Sequence, residues 1–229
     1  MPEELDTALE AALEAALQIA LIRHGQSTAN ATGVWQGQLD FPLSDKGRAQ
    51  ARLAGQAISA APPEAIYASP LLRAYETAQL IAEGSGLEGG VVTLPGLQER
   101  RGGLLEGTTA REREERYPDL MRKFSSLEES DRWALVDAET DEEVLGRFME
   151  AIGEIVARHE PGSRISIVSH GGAMRAFLRE FFGPEILAGS QRAENASITR
   201  FVWPWSGTPR LLDLGSTAHL DPLQELPGA

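Results

Sequence analysis

Two apolar runs that each break off at a histidine constrain this chain more than any other feature. Ile19-Ala20-Leu21-Ile22 leads into Arg23-His24-Gly25, and Ile165-Ser166-Ile167-Val168 leads into Ser169-His170-Gly171-Gly172. A short apolar run closed by a glycine turn reads as a buried strand. On open α/β sheets, ligand sites lie beyond the carboxyl ends of the strands, where the rigid backbone aims loop side chains. Two histidines at two such ends are therefore expected to converge on one pocket.

The rest of the chain supplies the alternation that such a sheet needs. Ser44 caps a helix with apolar positions at Leu53 and Ala57, closed by Pro62-Pro63. Ala65 to Ala68 reads as a second strand, followed by a helix carrying Ala74, Ala78 and Ile81, and Val91 to Leu94 reads as a third. Residues 29–43 read as an irregular loop, and further helices fall within 109–127. Thr140 and Glu143 form a capping box ahead of an apolar stripe at Leu145, Phe148, Ile152 and Val156. Asn195 to Trp203 and Pro209 to Leu214 read as an edge hairpin. The pattern predicts a single α/β domain over residues 19–229, a three-layer sandwich with a mostly parallel sheet flanked by helices. Before it, residues 1–18 carry leucines at 5, 9, 13 and 17, a spacing that predicts a helical extension. Its stripe either docks on the body or forms a homodimer contact.

Charge and composition narrow the partners. The chain carries 34 acidic and 21 basic residues, a formal charge of −13. Such a field opposes nonspecific binding to nucleic acid or to an anionic membrane, so neither is an expected partner, and an anionic ligand would need concentrated arginine. No segment approaches the roughly 20 apolar residues that span a bilayer. The chain has no cysteine, which excludes disulfides, thiolate metal sites and cysteine nucleophiles and is compatible with a cytoplasmic location.

The residues at the strand ends are suited to phosphoryl chemistry. An unprotonated ring nitrogen of His24 can attack an electrophile, while Arg23 can donate several charge-assisted hydrogen bonds to phosphate oxygens. Arg73 offers a second guanidinium from the start of the helix after the second strand. His170 would contact the transferring group or orient His24. Glu99, in a third loop, is the candidate to protonate the leaving oxygen and then activate water, and Glu106 is the competing carboxylate. Arg100 and Arg101 either recognise a substrate carboxylate or form surface salt bridges, and Trp35 either borders the substrate or packs beneath its loop. His24, His159, His170 and His219 show no short metal-ligand signature, so no metal is expected.

Taken together, Leu21-Ile22-Arg23-His24-Gly25-Gln26-Ser27-Thr28-Ala29-Asn30, Ser69-Pro70-Leu71-Leu72-Arg73-Ala74-Tyr75-Glu76-Thr77-Ala78 and Ser169-His170-Gly171 strongly resemble the histidine phosphatase superfamily, also called the phosphoglycerate mutase-like family. The resemblance implies that His24 becomes phosphohistidine, that Arg23, Arg73 and His170 surround the phosphate with a further contact from Asn30, and that Glu99 transfers the proton. It also implies that no bound metal or dinucleotide cofactor is required. The expected activity is metal-independent hydrolysis of a small phosphorylated metabolite. Phosphoglycerate mutase-type transfer and noncatalytic phosphate binding are the alternatives. Hydrolysis is favoured because residues 108–143 lack the arginine- and proline-rich insertion associated with the mutases.

Overall fold

The computed structural model describes residues 15–87, 89–187 and 194–224. Among them, strands Ala16–Arg23 (β1), Ala65–Ala68 (β2), Val91–Thr93 (β3), Arg164–Ser169 (β4), Ile198–Pro204 (β5) and Arg210–Ser216 (β6) form one sheet in the order β3-β2-β4-β1-β5-β6. The first four pair in parallel; β5 runs antiparallel to β1, and β6 antiparallel to β5. The helices are Thr28–Thr32 (α1), Asp45–Ile58 (α2), Leu72–Ser85 (α3), Ala110–Arg116 (α4), Pro118–Ser126 (α5), Glu129–Arg132 (α6), Asp141–Val156 (α7) and Gly171–Phe182 (α8).

Side chains alternate across the sheet and so divide the core into two layers. Leu17, Ile19 and Leu21 of β1, with Ile165 and Ile167 of β4, pack with Phe148 and Ile152 of α7 and Phe177 of α8. Ile22 and Val168 face the other way, against Ala54 and Ile58 of α2 and Ala74, Ala78 and Ile81 of α3. Covering both faces explains why these strands read as continuous apolar runs. The expected three-layer α/β sandwich is present. A third cluster of Leu105, Met121, Trp133, Val136 and Ala138, with Trp35 and Phe124 beside it, packs α5 against the loops around Trp35 and Leu105 and the segment after α6.

Several boundaries differ from the sequence reading. Ala16, Leu17 and Gln18 belong to β1 and not to a helix. Leu17 lies opposite Trp203 and Gln18 opposite Arg164, so pairing on both sides overrides the local helical pattern. The other three leucines of that stripe lie outside the described residues. The loop 29–43 starts with α1, because Ser27 and Asn30 form a capping box: Asn30 N donates to Ser27 Oγ (3.0 Å) and Ser27 N to Asn30 Oδ1 (3.1 Å). The late strands are antiparallel as expected, yet β5 is inserted beside β1 and only β6 forms the edge. The buried faces of α2 and α7 are also turned relative to the expected stripes. Ala54 and Ile58 are buried where Leu53 and Ala57 are half-buried, and Val144 and Ile155 where Leu145 and Val156 are half-buried. Among the described residues no helix is long and apolar enough to cross a membrane.

Candidate active site

The register of β1 against β4 builds the site. Arg23 is paired with Ser169, and His24 N donates to Ser169 O (3.0 Å), so the next residues, His24 and His170, leave adjacent strand ends side by side. Their ring centroids are 5.0 Å apart, close to the spacing of neighbouring strands. Residues 146 positions apart in sequence thereby share one centre, both almost fully buried.

The turn after β1 fixes the His24 ring. His24 Nδ1 lies 2.7 Å from Gly25 O, and because a carbonyl only accepts, Nδ1 carries the proton and Nε2 keeps its lone pair. Gly25 N donates to Thr77 Oγ1 (3.0 Å), and a Cβ at Gly25 would run into Gly47 O at the start of α2. Burial, reinforced by Arg23 and Arg73, holds the His24 imidazole well below its ordinary pKa; burial and then Arg73 do the same for His170. Both rings are consequently neutral at neutral pH. Neither ring nitrogen of His170 has a hydrogen-bond partner among the described residues, and buried polar atoms normally find one in protein, water or ligand.

These depressed values make stability depend on pH. In the unfolded chain the two imidazoles take up protons below about pH 6.5, whereas in the fold they resist protonation, so their contribution is present above that value and lost as pH falls. Urea midpoints measured at about pH 7.5 and about pH 5 should show the protein less stable in acid. A His24→Asn, His170→Asn double variant should lose less over the same interval.

Arg73, in the first turn of α3, is 1% exposed and donates Nη1 to Leu39 O (2.9 Å) and Nη2 to Gly37 O (2.7 Å). Its Nε has no hydrogen-bond partner among the described residues. Burial pushes its pKa down to about 10, which leaves it charged at neutral pH. Arg23, His24, Asn30, Arg73 and Glu99 line one cavity of about 620 Å³. Asn30 Oδ1 is engaged by Ser27 N and by Asn195 Nδ2 (3.3 Å), and the residue lines the cavity.

Glu99 sits at the amino end of α8. Its Oε2 accepts from Gly172 N (3.0 Å) and its Oε1 from Ala173 N (3.0 Å) and Arg100 N (2.8 Å). A carboxylate has about four lone-pair positions, so these amides orient the group and still leave a position for a proton. Arg147 secures the backbone beneath it, with Nη1 bonded to Gly96 O (2.9 Å) and Gln98 O (2.7 Å) and Nη2 to Glu99 O (3.0 Å). Glu106 is used differently: its Oε1 accepts from Gln38 N (3.0 Å) and Gly102 N (2.7 Å) and ties two loops together.

Of the residues considered for substrate contact, Trp35 lines the cavity and also packs at 6.1 Å from the Trp133 ring. Arg100 lines it too, but its guanidinium is engaged by Glu139 O and Asp141 Oδ1 and lies 4.2 Å over the Trp133 ring. The structure places Arg101 off the cavity, with Nη1 bonded to Asp137 O (2.7 Å). The sequence reading did not single out Arg113, Arg132, Trp133 and Arg175, which also line the cavity. Arg175 was within reach, since it lies four residues after Gly171 on a helix that starts at the second histidine. Arg113 and Arg132 sit in charge-rich surface-like runs, where no local signal separates a site residue from a solvated one.

Comparison with known proteins agrees with this geometry. A model of the histidine phosphatase superfamily (branch 1) matches residues 19–216. A metal-independent phosphoserine phosphatase of Arabidopsis thaliana is 35% identical over 163 residues, covering 70% of this chain and 67% of that protein. The uncharacterized phosphatase PhoE of Bacillus subtilis is 31% identical over 205 residues, covering 88% and 96%. Among solved structures, a mycobacterial glucosyl-3-phosphoglycerate phosphatase in complex with VO3 superposes with a TM-score of 0.75 at 29% identity, covering 87% of this chain and 99% of that one. Because the matched span runs from within β1 to the end of β6 and takes in the whole cavity wall, the chain belongs to the phosphoglycerate-mutase-like branch of the histidine phosphatase superfamily.

Proposed function

We propose that the protein is a metal-independent phosphatase that hydrolyses a small phosphorylated metabolite through phosphohistidine at His24, and that it works in the cytoplasm. The observation that carries this reading is the His24 tautomer: a neutral ring with Nε2 free, beside two guanidiniums in a cavity wall. In the first step the Nε2 lone pair forms an N–P bond as the ester P–O bond breaks, and Glu99 gives its proton to the leaving oxygen. In the second, Glu99 takes a proton from water, whose oxygen bonds to phosphorus as the N–P bond breaks, releasing inorganic phosphate and restoring the neutral imidazole. Arg23, Arg73, His170 and Asn30 bind the equatorial oxygens, on which negative charge spreads in the transition state.

The test is a panel of phosphate monoesters, with and without chelator, read for released phosphate and for positional isomers. Phosphoserine and glucosyl-3-phosphoglycerate, named for two of the relatives, are the natural first members. Phosphate release that survives the chelator is the expected result, and isomerisation with little release would replace hydrolysis by mutase transfer. Glu99→Gln should slow esters of poorly leaving alcohols by about 10²–10⁴-fold and activated aryl esters far less. Equal losses on both would remove Glu99 from proton transfer.

A further inference from the structure

One short turn is bonded both to a guanidinium of the cavity wall and to the backbone of Glu99. Leu39 N donates to Gln36 O (3.0 Å) and Gly37 has φ +52, so residues 36–39 form a tight turn with glycine where the backbone needs a positive φ. The turn is fixed from more than one side. Gln38 N donates to Glu106 Oε1 (3.0 Å), which also accepts from Gly102 N (2.7 Å), and a Cβ on Gly37 would run into that carboxylate. Just beyond the turn, Leu72 N donates to Asp40 Oδ1 (2.6 Å) and ties the loop to the start of α3.

Two sets of bonds leave this turn. The carbonyls of Gly37 and Leu39, the residues before and after Gln38, accept from Arg73 Nη2 and Nη1. The side chain of Gln38 makes the other contact, with Nε2 donating to Glu99 O (3.0 Å). A carbonyl only accepts, so this bond depends on the amide nitrogen of Gln38. Glu99 O has a second donor in Arg147 Nη2 (3.0 Å). Arg147 anchors Glu99 to α7, whereas Gln38 anchors it to the turn that grips Arg73. Burial lowers the Arg73 pKa and Glu99 is the first charge that opposes this, so the carboxylate and the guanidinium stand within electrostatic reach of each other.

We infer that Gln38 is a positioning residue for proton transfer: by bonding Glu99 O from the same turn that holds Arg73, it sets the place of the Glu99 carboxyl relative to the bound phosphate. It touches no reacting atom. This rests on the phosphatase reading and assigns to one further side chain the spacing on which that reading depends. The acid must lie within hydrogen-bond reach of the leaving oxygen while the arginines hold the phosphoryl group in line, and a misplacement of about 1 Å costs about a hundredfold in rate.

Gln38→Met tests this, because it keeps the length of the side chain and removes the donor. Glu99 O retains Arg147 and Gln38 N is unchanged toward Glu106, so no carbonyl is orphaned and the urea midpoint should move little. The kinetic effect should split by leaving group. On phosphoserine, or on 3-phosphoglycerate if the parent turns it over faster, kcat should fall about ten- to a hundredfold. On 4-nitrophenyl phosphate, whose leaving group departs without a proton, kcat should stay close to the parent's, as should inhibition by inorganic phosphate. In a Glu99→Gln background the same substitution should cost no further kcat, since its influence runs through the Glu99 carboxyl. Unchanged rates on both esters, equal losses on both, or a loss that persists in full beside Glu99→Gln would overturn the positioning role and leave the phosphatase standing. Failure of the parent to turn over any monoester would fall on the phosphatase reading instead. Amide hydrogen exchange then decides the role of Gln38: faster exchange in Gln38→Met at Arg100 and Ala173, whose amides hold the Glu99 carboxyl, supports it, and unchanged exchange there overturns it.

Discussion

Replacing His24 by alanine should lower turnover by roughly 10⁴-fold or more and abolish the phosphoenzyme entirely. The residue is 2% exposed and sits in a turn held by Gly25 and Thr77, so the truncation removes the nucleophile with little disturbance to the strand. A conservative His24→Asn variant controls for the space left by the ring. Rapid mixing with a ³²P-labelled monoester, quenched in alkali, should label the parent protein and neither variant. An unchanged labelled band in His24→Ala would move the nucleophile elsewhere, and His170 at 5.0 Å would be the first place to look.

The second large effect should come from Arg73, because one side chain joins stability to chemistry. Its Nη1 and Nη2 hold Leu39 O and Gly37 O, while its Nε has no hydrogen-bond partner among the described residues. Arg73→Met should destabilise the fold by about 2 kcal/mol or more, the cost of leaving buried carbonyls unpaired. It should also reduce kcat by about 10²–10³-fold through the lost transition-state contact. Arg73→Lys retains the charge and lacks the fork. It should recover part of the urea midpoint and little of kcat, and equal recovery of both would mean that Arg73 acts only on the loop.

How much of this site can be read from the chain depends on the range of the forces involved. Strand ends, turns and caps are local, so His24 after Ile22, His170 after Ser169 and the Thr140 cap of α7 are all visible in short windows. Leu17 shows where that reading stops. Four-residue spacing places it on a helix, yet in the fold it is a fully buried member of β1, because the pairing that decides its conformation comes from Trp203, far along the chain. Arg100 and Arg101 look equivalent in sequence. One is 4% exposed and anchored to Glu139 and Asp141 beside the cavity, while the other turns out to Asp137, a difference set by partners about 36 to 41 residues further along the chain.

The amino-acid sequence by itself determined the family and the α/β class and named the candidate reacting groups, because each depends on residue type and short spacing. Only the tertiary structure decided that β4 lies directly beside β1, with Ser169 in register with Arg23, and so brought the two imidazoles together. It also decided that Glu99 lies on the amides of α8 and that Arg113 of α4 and Arg132 of α6 line the cavity. Those facts are set by the order of strands and the packing of helices over distances that no local pattern of residues encodes.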